Sequence, residues 1–193
     1  MTHVFQVTFD YLCPFARNAA EAVQAGLDQG KDWKPTFRAF SLAQAHLEEG
    51  EPPVWERPDE PAGVLALQWG IAVRDAFPEQ FPAFHQAMFA ARHDHGRDIK
   101  DEAVIREAAG AAGLDPQAVA KEVASDGPLK IMAGEHTEGV ERWEVFGVPT
   151  FIVGEEAVFC RLMERGRVDD VERLLDMVSW ARLNEFKRTR IPR

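Results

Sequence analysis

Cys13 stands where an apolar run gives way to a helix, and that position suits a nucleophilic thiol. The run from His3 to Phe9, HVFQVTF, is rich in Val, Phe and Thr and reads as a strand. Asp10-Tyr11-Leu12 follows as a short loop, and Cys13-Pro14 then opens an alanine-rich stretch from Phe15 to about Asp28. Proline suits a first helical position because it has no N–H to lose there. Gly30 closes the helix from beyond its end. A helix N-terminus carries unpaired N–H groups and about half a positive charge, both of which favour a thiolate. Cysteines so placed can have pKa values lowered to about 3.5–7.5, and the thiolate is the attacking form. A buried, inert cysteine is the commoner fate of this residue type. Strand, loop, Cys-Pro and helix in succession favour the reactive reading.

A second element is Phe146-Gly147-Val148-Pro149-Thr150-Phe151, just before another apolar run. The other cysteine, Cys160, falls in that later region and reads as a packing residue on an edge strand. Two strand steps of about 4.8 Å put it about 10 Å from the first strand, beyond normal disulfide reach. His93-Asp94-His95, with Asp98 nearby, invites a metal reading. Histidines two apart on a helix point to different faces, so a solvated helix end is favoured and no metal site is expected. Glu135 and His136 precede the second element, where a lone histidine is more often structural than a base. Trp69, Phe77, Phe84 and Phe89 fit either an apolar cleft or plain core.

These residues need elements to position them. Trp33 to Leu42 reads as a second strand, parallel to the first through a right-handed crossover. His46 to Pro61, dense in Pro and Glu, reads as a boundary loop. Four or five helical segments then run from Ala62 to about Glu144, with breaks at Phe77-Pro78, His95-Gly96, Gly113 to Pro116 and Asp126 to Pro128. Phe151 to Val153 and Ala157 to Met163 read as a hairpin turning at Gly154-Glu155-Glu156. An amphipathic helix from Val168 to Leu183 ends the order, followed by a basic tail, residues 184–193. The expected fold class is α/β, a β-α-β half and a β-β-α half (residues 1–61 and 145–183) with a helical insertion, 62–144, between them.

The stretches FDYLCPFA (Phe9 to Ala16), GRDIKDEAVI (Gly96 to Ile105) and FGVPTFIVGEEAVF (Phe146 to Phe159) resemble the DsbA-like thioredoxin superfamily. The likeness spans nearly the whole chain except the tail, and is nearest to bacterial members of cytosolic type. The resemblance implies a thioredoxin-like fold with inserted helices, Cys13 as nucleophile, and Pro149 as a cis proline facing it. Tyr11, Pro14, Phe15, Val148 and Thr150 would be active-site neighbours. Where dithiol members carry the second cysteine of Cys-x-x-Cys, this chain has Ala16. Its expected chemistry is therefore that of a monothiol oxidoreductase: attack by Cys13, then release of the mixed disulfide by another thiol. Glutathione or another low-molecular-weight thiol is the economical co-substrate, and no tightly bound cofactor is expected. An alternative is the related branch of kappa-class glutathione transferases and 2-hydroxychromene-2-carboxylate isomerases, which typically have serine at the Cys13 position and activate a bound thiol. A non-catalytic thioredoxin-fold binder is the third reading.

The formal net charge of −10 argues against nucleic acid or an anionic membrane as partner. The expected partners are small thiols, disulfides or another small-molecule substrate, with oligomeric state left open. Residues 1–10 lack the basic start and long apolar run of an export signal. Two cysteines in 193 residues do not make a disulfide scaffold. Together these set a cytoplasmic expectation.

Overall fold

The computed structural model describes residues 2–59, 62–180 and 182. β1 (His3–Phe9), α1 (Pro14–Asp28) and β2 (Trp33–Ala39) form the first half of a thioredoxin-like core. β1 and β2 pair in parallel with Phe5 opposite Pro35. β2 is an edge strand of the sheet, where a proline costs no ladder bond. Ser41 stops that strand before Leu42: its Oγ accepts the Gln44 N–H at 3.2 Å and caps the single turn α2, Leu42–Ala45. A short 3-10 turn, Val54–Glu56, breaks the Pro- and Glu-rich loop.

Five helices follow: α3 (Val64–Ala76), α4 (Phe81–His93), α5 (Glu102–Ala111), α6 (Pro116–Val123) and α7 (Gly127–Trp143). Their starts follow local chemistry. Asp101 and Asp115 each accept an N–H of the next turn at 2.9 Å, and Pro116 occupies the first turn of α6. The chain then returns through β3 (Thr150–Val153) and β4 (Glu156–Phe159) to α8 (Val168–Val178). Gly154, at φ 62°, is the first central residue of the two-residue hairpin turn. The sheet order is β2-β1-β3-β4, with β3 antiparallel to both neighbours.

Side-chain alternation divides the core. Phe5, Val7, Val23, Trp33 and Phe151 pack with Val171, Leu174 and Leu175 of α8. Ile152, adjacent to Phe151 but on the opposite face, joins Phe9, Tyr11, Cys13 and Phe40 beneath the inserted helices. Each fully buried Leu or Val contributes about 1.5–3 kcal/mol, which holds α8 in place although its surface is strongly acidic. The insertion is latched to edge strand β2 by Glu135, whose carboxylate accepts the Ala39 N–H at 2.7 Å and pairs with Arg74. Arg74 in turn donates to the Phe37 carbonyl at 2.8 Å.

Besides β2, which ends at Ala39 and not at Leu42, two boundaries fall earlier than the sequence suggests. β4 ends at Phe159: the Cys160 N–H still bonds to the Pro149 carbonyl at 3.1 Å in the same register, but Pro149 has no N–H to return. α8 ends at Val178, where the Ser179 hydroxyl donates to the Asp176 carbonyl at 2.8 Å. Leu183 and the basic tail lie outside the described residues. Among the described residues no helix is long and apolar enough to cross a membrane.

Candidate active site

Antiparallel pairing of β1 and β3 brings the end of the first strand beside the start of the third. Val7 opposes Phe151, and the Thr150 N–H donates to the Thr8 hydroxyl at 2.8 Å. The Thr150 hydroxyl donates to the Gly147 carbonyl at 2.8 Å, tightening the loop that precedes it. Within that loop the Val148–Pro149 peptide bond is cis. Cys13 is the N-cap of α1 and Pro14 its first residue. The two segments meet at sulfur: Cys13 Sγ donates to the Val148 carbonyl at 3.3 Å.

Cys13, Val148, Pro149 and Thr150 are buried, Phe15 is half-buried and Pro14 is exposed. Tyr11 belongs elsewhere. Its side chain is 0% exposed, and its hydroxyl shares a 2.9 Å hydrogen bond with His85 Nδ1 among Phe9, Phe37, Phe81 and Phe89. What Tyr11 offers the site is its backbone, whose carbonyl meets His93 Nε2 at 2.9 Å. Neighbourhood in sequence pointed to a site side chain; the inserted helices claim it for the core.

The acidity of Cys13 has competing causes. Burial pushes the thiol above its usual value, and the nearby Asp10 charge adds to this. The N–H groups of Ala16 and Phe15 and the Arg161 charge pull the other way, and burial wins. The expectation of a depressed thiol pKa rested on the helix N-terminus alone, and burial of the sulfur outweighs it. A hydrogen bond from the thiol to a carbonyl also favours the protonated form.

Asp10 is a site residue that the sequence reading passed over as part of a loop. It is buried, and burial raises its carboxyl to about 6 despite N–H bonds from Leu12 at 2.9 Å and Leu42 at 2.8 Å. Those bonds clamp the loop before Cys13 to the segment after β2. The only sequence signal was an acid ending an apolar strand, which looks the same as an exposed turn residue.

Cys160 and Cys13 are both free thiols. Cys160 packs against the α8 cluster, whereas Cys13 belongs to the cluster under the insertion. Trp69, Phe84 and Phe89 are core, and Phe77 is half-buried against it. His136 stacks on Phe40 with ring centroids 4.3 Å apart, and burial lowers its pKa to about 4. Asp94 pairs with Arg17 at 2.7 Å and Arg165 at 3.0 Å. Among the described residues no group of three or more His, Cys, Asp or Glu could hold a metal ion. A cavity of about 310 Å³ near Lys31 and Glu172 and another of about 150 Å³ near Phe37 and His85 are lined by neither Cys13 nor Pro149.

A family profile for the DSBA-like thioredoxin domain matches residues 69–176. No curated protein matches the sequence. Among solved structures, a 2-hydroxychromene-2-carboxylate isomerase is similar with a TM-score of 0.65 at 19% identity, over 94% of this chain and 100% of that one. A thioredoxin-like oxidoreductase from Silicibacter pomeroyi DSS-3 is similar with a TM-score of 0.61 at 20% identity, over 94% and 87%. A thiol-disulfide exchange protein from Wolbachia pipientis is similar with a TM-score of 0.62 at 16% identity, over 91% and 81%. At these identities the likeness is one of fold.

Proposed function

The chain belongs to the DSBA-like thioredoxin family, and on that premise we propose that it is a thiol-dependent oxidoreductase working through Cys13 alone. The observation that carries the reading is the meeting of Cys13 Sγ with the Val148 carbonyl at the N-terminus of α1. In the proposed reaction the Cys13 thiolate attacks one sulfur of a disulfide. The S–S bond breaks, a Cys13 mixed disulfide forms, and the departing thiolate takes up a proton. A second small thiol, glutathione in the proposed cytoplasmic setting, then attacks the mixed disulfide, restores Cys13 and leaves as the new disulfide. Ala16 occupies the position one helical turn on, so α1 itself offers no second thiol for that step. The backbone beside Pro149 would align the incoming disulfide once Cys13 lets go of the Val148 carbonyl.

Intact-mass measurement after treatment with excess glutathione disulfide tests this. One glutathione adduct on the wild type, absent in Cys13→Ser and retained in Cys160→Ser, is expected. Loss of two hydrogens without an adduct would show Cys13 pairing with Cys160 and overturn the monothiol route.

One observation favours a second reading. A buried thiol kept protonated is a hydrogen-bond donor, and a donor at this place could hold the sulfur of a bound thiol, as an isomerase or transferase would require. No adduct on Cys13, together with glutathione-dependent turnover of a non-disulfide substrate, would establish that reading instead.

A further inference from the structure

Arg161 is an exposed cation that the Cys13 chemistry as described leaves unused. Its guanidinium carbon lies 5.6 Å from the ring centroid of Phe15, in the first turn of α1, and 6.0 Å from that of Phe159. Its chain neighbour Cys160 is tied by its N–H to the carbonyl of Pro149. Arg161 is thus held from both halves of the site, by the cysteine helix and by the segment bonded to the loop proline.

Other arginines around it are spent on carboxylates. Arg17 pairs with Asp94, Arg165 with Glu21 and Asp94, Arg167 with Glu164 and Asp169, and Arg142 with Glu138 and Glu155. Among the described residues no carboxylate pairs with Arg161. A guanidinium stacked on rings keeps its planar fork of N–H donors free, and that fork fits a carboxylate in a bidentate way. Around it the surface is aromatic: Phe146, 71% exposed, leans on Phe159 with centroids 5.0 Å apart. The chain as a whole, at −10, repels anions. Arg161 is an unpaired positive charge near enough to act on the Cys13 sulfur.

We propose that Arg161 is the carboxylate-binding residue of the Cys13 site, and that the disulfides Cys13 attacks are anionic ones of the glutathione type. This rests on the reading of Cys13 as the attacking thiol. A substrate carboxylate docks on the guanidinium over Phe15, and its disulfide extends toward Cys13. The covalent step is the exchange already written, with the disulfide itself as oxidant. In the free protein the same positive charge favours the Cys13 thiolate, as the smallest of the influences on it, and a docked carboxylate offsets that charge.

The test compares three disulfides: anionic glutathione disulfide, neutral 2-hydroxyethyl disulfide and cationic cystamine. Rates of mixed-disulfide formation on the Cys160→Ser protein are normalised to those of free 2-mercaptoethanol, a thiol with no other charge, and extrapolated to the fully deprotonated thiol. The expected order is anionic, neutral, cationic, with the anionic advantage shrinking at high salt. In Arg161→Gln the ratio of anionic to neutral rates falls about tenfold, roughly the worth of one charge-assisted hydrogen bond. Arg161→Lys retains part of the ratio, and Arg161→Glu reverses it. Equal normalised rates in the wild type, or an unchanged ratio in Arg161→Gln, would overturn the role of Arg161 and leave the Cys13 reading standing. No reaction with any of the three would overturn both.

Discussion

The sulfur of Cys13 donates to the carbonyl of Val148 across 3.3 Å, so the resting state of this site is a thiol and not a thiolate. Deprotonation must break that bond and put charge into a buried place, and both costs raise the pKa. In a Cys160→Ser background, the rate of iodoacetamide alkylation at Cys13 is therefore expected to keep rising above pH 8.5, the usual midpoint of a free cysteine. A plateau reached below pH 7 would contradict the balance of burial over helix N–H groups described above. A raised value also limits unspecific oxidation, since little of the attacking thiolate is present at neutral pH.

Ala16 is buried one helical turn from Cys13, and its N–H points toward that residue's sulfur. Ala16→Cys creates a Cys-x-x-Cys pair at the start of α1. Oxidation of that variant is expected to remove two hydrogens and leave no small-thiol adduct. The added sulfur enters a packed core, so a stability loss of about 1–3 kcal/mol should accompany it. An adduct on Ala16→Cys equal to that on the wild type would mean that the two sulfurs cannot approach.

What could be read in the sequence here was whatever is local. Strand, Cys-Pro and helix are consecutive, so residues 3–28 declare themselves, and the β3–β4 hairpin is announced by Gly154-Glu155. Phe151 to Val153 read as a strand because an apolar run resumes after Pro149. What could not be read comes from distant packing. Tyr11 turns into the core because His85 waits there on α4. Cys13 is buried against the distant Val148 carbonyl, and that burial outweighs the helix N–H groups. Asp10 and Arg161 gain their roles from partners on other elements, and no spacing rule links them to Cys13. Just past β2 the Asp10 carboxylate takes the Leu42 N–H, a contact between segments far apart in the chain.

Gly70 of α3 makes room for Tyr11. A Cβ at position 70 would lie 2.7 Å from the Tyr11 hydroxyl and 3.0 Å from Cε2 of the same ring. Gly70→Ala should gain helix propensity, worth up to about 1 kcal/mol in an exposed helix. It should lose more by driving Tyr11 off His85, with overpacking costing about 1–3 kcal/mol. A lower urea midpoint with an unchanged slope is expected. A midpoint equal to or above the wild type would mean that Tyr11 yields without cost.

Acid should destabilise the protein through two buried imidazoles, partly offset by one buried carboxyl. Burial lowers His85 from 6.5 to about 3 and His136 from 6.5 to about 4, whereas it raises Asp10 from 3.8 to about 6. Between pH 4 and 6 the unfolded chain binds two more protons than the fold at the histidines and one fewer at Asp10. Stability therefore rises with pH across this window with a net slope of one proton, about 3 kcal/mol over two units. Between pH 6 and 6.5 the histidines alone act, and above that range none of the three contributes further change. Glu138, Glu155 and Asp169 have depressed values, but Glu155 is exposed and the other two side chains are largely open to screening solvent, so they add little. Urea unfolding at pH 4, 5, 6 and 7 measures the slope directly. His136→Gln removes one of the two histidine terms, leaving His85 against Asp10. Its curve should be nearly flat from pH 4 to 6, whatever its absolute stability. A variant as pH-dependent as the wild type would mean that His136 titrates alike in the folded and unfolded chain, and that its stacking on Phe40 does not keep it neutral.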